Sequence, residues 1–174
     1  MLRPFLVAGD SAPSLCVADV YGREVHLGEG PLAVVFTRPG ACPLGRQALA
    51  ELRDLRLPIP LVVVTPDVTV APGLAVVPDV AGTIARAFGV GHDALGFCTL
   101  RAPGLLARRR TRAALRRGGS VLSRTLGAEF VVSAGHTIAY VRYCCSIVDG
   151  PDVRGLSAAV AARAGMDCRV ATRP

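Results

Sequence analysis

Apolar positions along this chain fall into strand-like and helix-like stretches, and their order predicts a mixed α/β fold. Residues 15–20 (Leu-Cys-Val-Ala-Asp-Val) and 23–27 (Arg-Glu-Val-His-Leu) alternate on either side of Tyr21-Gly22, which reads as a β-hairpin. Gly28-Glu29-Gly30-Pro31 then breaks the chain. Residues 32–37 (Leu-Ala-Val-Val-Phe-Thr) and 61–65 (Leu-Val-Val-Val-Thr) are nearly continuous apolar runs, as in strands buried on both faces. Between them Pro43 suits the first position of a helix, and Leu44, Ala48, Leu52 and Leu55 give that helix its apolar stripe.

The second half repeats these signals around an interruption. Residues 74–78 predict a short edge strand, and 80–88 a short helix stopped by Gly89. Residues at about 91–125 break the pattern and read as an insert carrying a helical, Arg-dense stretch. Residues 129–133 and 137–143 flank Ala134-Gly135-His136 as a second hairpin, and 152–164 predict a closing helix with Pro151 near its start. An early β-α-β unit with a late antiparallel hairpin implies a mixed sheet flanked by helices on both faces. That order fits a thioredoxin-like fold with an N-terminal β-hairpin and an inserted helical segment. No repeat or linker divides the chain, so residues 1–174 are expected to form one domain.

Composition narrows the function classes. Hydrophobic residues make up 51% of the 174, which excludes global disorder. The net charge of +7 comes from 20 cations, all of them Arg. Arg108, Arg109, Arg110, Arg112, Arg116 and Arg117 crowd the insert, yet no aromatic residue lies between Phe97 and Phe130 to stack on bases. An anionic small ligand or a plain basic surface therefore ranks above nucleic acid as the reading of that stretch. No apolar run reaches the length of a membrane span, and the N-terminal apolar run is too short for a signal peptide, so a cytoplasmic protein is expected.

In that compartment the six cysteines, at 16, 42, 98, 144, 145 and 168, are expected to be reduced and mostly inert. No C-x-x-C pair is present and no His/Cys spacing marks a metal site, so neither metal nor cofactor is expected. His26 reads as an exposed strand residue, His136 as part of a turn, and His92 as an acid or base only if the insert approaches the site. Cys42 differs from the other cysteines in its place, just past a buried strand at the start of a helix. Unsatisfied N–H groups and the helix dipole favour a thiolate there. Arg38 and Arg46 stand four residues to either side, close enough in sequence to add positive charge. The competing reading is a buried structural cysteine beside two surface arginines.

The segment Gly9-Asp10-Ser11-Ala12-Pro13, with Asp19, Gly22 and Leu27, resembles the opening of peroxiredoxin-like proteins of the AhpC/TSA family. Val34-Val35-Phe36-Thr37-Arg38-Pro39-Gly40-Ala41-Cys42-Pro43-Leu44-Gly45-Arg46 is similar to that branch's F-x-R-x-x-x-C-P-x-C-R motif. Asp79 with residues 84–90, then 127–132 and 138–142, resemble its later helix and last hairpin in the right order. Two departures stand out. Gly45 occupies the second cysteine position, so a dithiol cycle within the motif is impossible. Pro39 and Val35 stand where typical peroxiredoxins carry a hydroxyl residue and a proline, which leaves Thr37 as the nearby hydroxyl.

The resemblance implies a thiol oxidoreductase that reduces a peroxide, endoperoxide or disulfide at Cys42, assisted by Arg38, Arg46 and Thr37. Resolution would fall to Cys144, Cys145 or Cys98, to another protomer of a homodimer, or to an external thiol such as a reductant protein. The alternatives are a diverged tailoring enzyme binding a small metabolite on the same fold, and a redox-inactive binding module. Cys144 and Cys145 also read simply as one core and one exposed cysteine.

Overall fold

The computed structural model describes residues 5–91, 126–144 and 149–170. The predicted insert lies outside them, and with it His92, Cys98 and the Arg-dense stretch; Cys145 lies outside as well. The N-terminal hairpin pairs β1 (Leu15–Ala18) with β2 (Glu24–Leu27), with Cys16 directly opposite His26. Its turn is built on Asp19, whose carboxylate accepts the Tyr21 and Arg23 amides at 2.9 Å each and the Arg23 guanidinium at 2.6 Å.

Five further strands make one mixed sheet: β3 (Leu32–Phe36), β4 (Leu61–Thr65), β5 (Ala75–Pro78), β6 (Ala128–Val132) and β7 (Ile138–Tyr143). The order is β5-β4-β3-β6-β7, so the strand predicted at an edge is at an edge. Strands β3, β4 and β5 run parallel, and β6 and β7 add antiparallel on the other side of β3. The parallel pairs require crossovers, which are supplied by α1 (Pro43–Asp54) and the loop after β4.

Alternation along each strand explains why the runs are apolar at nearly every position. Val34, Phe36, Val62, Val64, Val77 and Phe130 face one core, closed by α2 (Thr83–Ala87) and the hairpin. Ala33, Val35, Val63, Val76 and Val131 face the other, closed by Leu49 and Leu52 of α1 and by Leu156 and Val160 of α3 (Val153–Val170). Phe36, Phe88 and Phe130 meet one another with ring centroids 5.1–5.8 Å apart, and Tyr143 closes on Phe130 at 5.5 Å.

Element boundaries differ from the sequence expectation mainly at helix ends. The short helix begins at Thr83 rather than 80, because the Asp79 carboxylate caps it by accepting the Ile84 and Ala85 amides at 3.1 and 2.7 Å. The closing helix continues to Val170. Its start is fixed by Asp152, which accepts the Gly155 amide at 3.0 Å. Among the described residues, no helix is long and apolar enough to cross a membrane.

Candidate active site

The C-terminal end of β3 delivers a turn, Thr37–Cys42, to the N-terminus of α1. Cys42 is the N-cap residue, with extended backbone (φ −77°, ψ 137°), and Pro43 follows at the first helical position. No acidic residue occupies the first turn of α1 itself, although a carboxylate from a distant loop reaches the turn before it. The Cys42 amide donates to the Pro39 carbonyl, and its own carbonyl receives the Arg46 amide, both at 2.9 Å. The thiol residue is 1% exposed.

Two contacts hold this turn in place. The Asp67 carboxylate, from the loop after β4, accepts the Gly40 and Ala41 amides at 3.2 and 3.4 Å. Gly45 packs beneath: an ideal Cβ there would fall 2.0 Å from the Pro39 carbonyl oxygen and 2.9 Å from that of Arg38. Any side chain at 45 would displace the backbone leading into Cys42, so the turn is built around a glycine at this position. Removing the Asp67 carboxylate should loosen the turn. We expect Asp67→Ala to speed alkylation of Cys42 roughly tenfold, as two hydrogen bonds worth about 1 kcal/mol or less each disappear from the closed form. An unchanged rate, read by mass spectrometry of the Cys42 peptide, would show that the turn does not control access.

The arginines take different places. Arg46 is exposed and folds back so that Nη1 donates to the Ala41 carbonyl at 3.0 Å, one residue before the cysteine. Arg38 is buried. Thr37 is buried as well, with its hydroxyl donating to the Arg38 carbonyl at 3.2 Å. Both open on a cavity of about 580 Å³ bounded by the ends of β3, β6 and β7 and by α1. Cys42 does not line that cavity; Cys144 does. Cys144 is buried just past β7, its Sγ 3.9 Å from Arg142 Nη1.

The cavity also holds residues that sequence reasoning did not single out. Glu129 is 1% exposed and stands opposite Arg142 in the β6–β7 register. Its Oε1 accepts Arg142 Nη1 and the Asp152 amide, each at 2.6 Å. Its Oε2 is buried with no hydrogen-bond partner among the described residues. A lone acidic residue between Ala128 and Phe130 in an apolar run was the available signal, but its partner follows only from strand register.

Burial pushes the Glu129 carboxyl above its ordinary value of 4.5, against the opposing pull of the Asp152 amide and Arg142. Below pH 4.5 the group is protonated folded and unfolded alike. As pH rises from there through the raised value, the unfolded chain loses its proton first, and the stabilising contribution of the protonated form is lost. The thermal midpoint of the protein relative to Glu129→Gln should therefore fall as pH rises through that window. A relative midpoint that climbs instead would contradict the burial effect.

At the far end of the hairpin a second cluster forms on the exposed face. Cys16, Glu24 and His26 bring sulfur, carboxylate and imidazole atoms within 4.8 Å of one another. No spacing rule finds it, because cross-strand register assembles it.

No family model matches the chain, and no curated protein does. Solved structures do match. A peroxiredoxin-like protein from Aquifex aeolicus superposes with a TM-score of 0.60 at 16% identity, covering 91% of each chain. A thiol peroxidase from Chromobacterium violaceum gives 0.56 at 14% identity, over 95% of this chain and 91% of the other. Peroxidoxin BcpB from Mycobacterium tuberculosis gives 0.52 at 18% identity, over 89% and 96%. At these identities the likeness shows the fold, a thioredoxin-like mixed sheet flanked by helices and related to that of peroxiredoxins.

Proposed function

We propose that the chain is a thiol-dependent oxidoreductase that reduces a peroxide, endoperoxide or disulfide through Cys42. The observation that carries the reading is the place of this thiol, at the N-cap position of α1 and so at the positive end of the helix dipole. For a hydroperoxide, the Cys42 thiolate attacks the terminal oxygen, the O–O bond breaks, and the alkoxide leaves with a proton from solvent. Cys42 becomes a sulfenic acid, keeping the hydroxyl proton, and the substrate an alcohol. Two equivalents of an external thiol then return Cys42, releasing water and the thiol's disulfide. Arg46, held at the Ala41 carbonyl, supplies positive charge beside the turn. Thr37 and Arg38 offer a hydroxyl and a guanidinium on the cavity side.

Because Cys42 is buried, the reaction proceeds from an opened form of the 38–42 turn. The test is hydroperoxide consumption with dithiothreitol as the thiol. Turnover above the uncatalysed rate supports the reading; none at protein concentrations equal to the peroxide contradicts it.

A second reading has its own support. The cavity of about 580 Å³ and the Glu129 oxygen that has no partner among the described residues favour a binding site for a small metabolite, as a diverged tailoring enzyme would need. Under that reading an activity on the metabolite survives Cys42→Ser.

A further inference from the structure

The exposed face of the N-terminal hairpin carries a set of side chains that neither the cavity nor the Cys42 turn uses. Cys16 of β1 stands directly opposite His26 of β2, and Glu24 lies two residues before His26, on the same exposed face. One carboxylate oxygen, Glu24 Oε1, gathers both neighbours: it accepts from Cys16 Sγ at 3.0 Å and lies 2.9 Å from His26 Nε2. The other ring nitrogen of His26, Nδ1, lies 3.4 Å from Glu29 Oε1.

We propose that Cys16, Glu24 and His26 form a binding site for zinc or a similar thiophilic divalent cation, with Glu29 orienting the histidine from behind. Thiolate, imidazole and carboxylate together are a zinc donor set, whereas calcium and magnesium take oxygen ligands. A tetrahedral zinc at ordinary bond lengths spaces its ligand atoms roughly 3.2–3.7 Å apart. The three donor atoms already lie within 4.8 Å of one another, so side-chain rotation alone closes the set. The metal enters where hydrogens now bridge to Glu24, and the Cys16 thiol proton goes to solvent. A carboxylate on the second ring nitrogen is the outer contact that metal-bound histidines ordinarily make, and it fixes which nitrogen faces the ion. Two strands paired in a fixed register present the ligands without ordering a loop. Three protein ligands leave a fourth position to water, and the exposed location makes the site an exchangeable one.

The test is the alkylation rate of Cys16 in the full chain, followed by mass spectrometry of its peptide, with and without zinc chloride. A bound ion blocks the thiol in proportion to occupancy, so free zinc at ten times the dissociation constant should slow alkylation about elevenfold. His26→Ala and Glu24→Gln change exposed side chains, and each should remove most of that protection. Following the Cys16 peptide alone separates this site from the other five cysteines. Equal Cys16 rates with and without up to about 1 mM zinc would overturn the proposal, as would protection that persists undiminished in His26→Ala.

Discussion

Replacing Cys42 by Ser is expected to lower thiol-dependent hydroperoxide consumption by at least about a thousandfold, to the background set by the other thiols. A hydroxyl in place of the thiol keeps nearly the same volume in a residue that is 1% exposed, so the fold should survive and the loss should be chemical. The remaining cysteines provide the contrast. Cys16 lies on the exposed hairpin face, beside Glu24, which pushes its thiol up by accepting its hydrogen and by its negative charge. That environment disfavours a thiolate, so Cys16→Ser should leave turnover unchanged. Cys144 is the informative case, because it lines the cavity with Thr37 and Arg38 while Cys42 does not. Resolution by an external thiol predicts that Cys144→Ser retains turnover. Loss of turnover in Cys144→Ser, with Cys42 still oxidised in the first cycle, would instead assign resolution to Cys144.

The largest expected effect on stability is at Phe130. Its ring is fully buried in the middle of β6, and it packs edge-to-face against Phe36, Phe88 and Tyr143 at centroid distances of 5.8, 5.1 and 5.5 Å. Phe130→Ala removes the shared member of this cluster and leaves a cavity that the paired strands β3 and β7 cannot collapse. A loss of about 3–5 kcal/mol follows, or roughly 10 °C in thermal midpoint for a chain of this size. Denaturant unfolding measures it directly. A loss under about 1 kcal/mol would mean that the aromatic cluster is not the packed centre of the sheet.

The sheet was legible because its strands are buried on both faces. Residues 32–36 and 61–64 carry apolar side chains at every position, and the two parities feed two separate cores. Helix ends were less legible, since they depend on capping by residues outside the helix. Asp79 sets the start of α2 from four residues before Thr83, which no apolar stripe reveals. The position of Cys42 at a strand–helix junction was also readable, because Pro43 and the run before it mark the handover. Its burial was read only as the competing alternative, and the tie from Asp67 of a distant loop to the Gly40 and Ala41 amides was not legible at all. Glu129 with Arg142, and Cys16 with His26, share one reason for escaping a linear reading. Each pair is opposed across antiparallel strands, and register belongs to the folded sheet.

The proposed function stands or falls with Cys42 as the thiol that meets the oxidant. The direct measurement is peptide mapping by mass spectrometry after brief exposure of the reduced chain to one equivalent of hydroperoxide. One added oxygen, trapped as a sulfenic acid, is expected on the Cys42 peptide before any other cysteine reacts. An unmodified Cys42 beside oxidised Cys16 or Cys144 would contradict it.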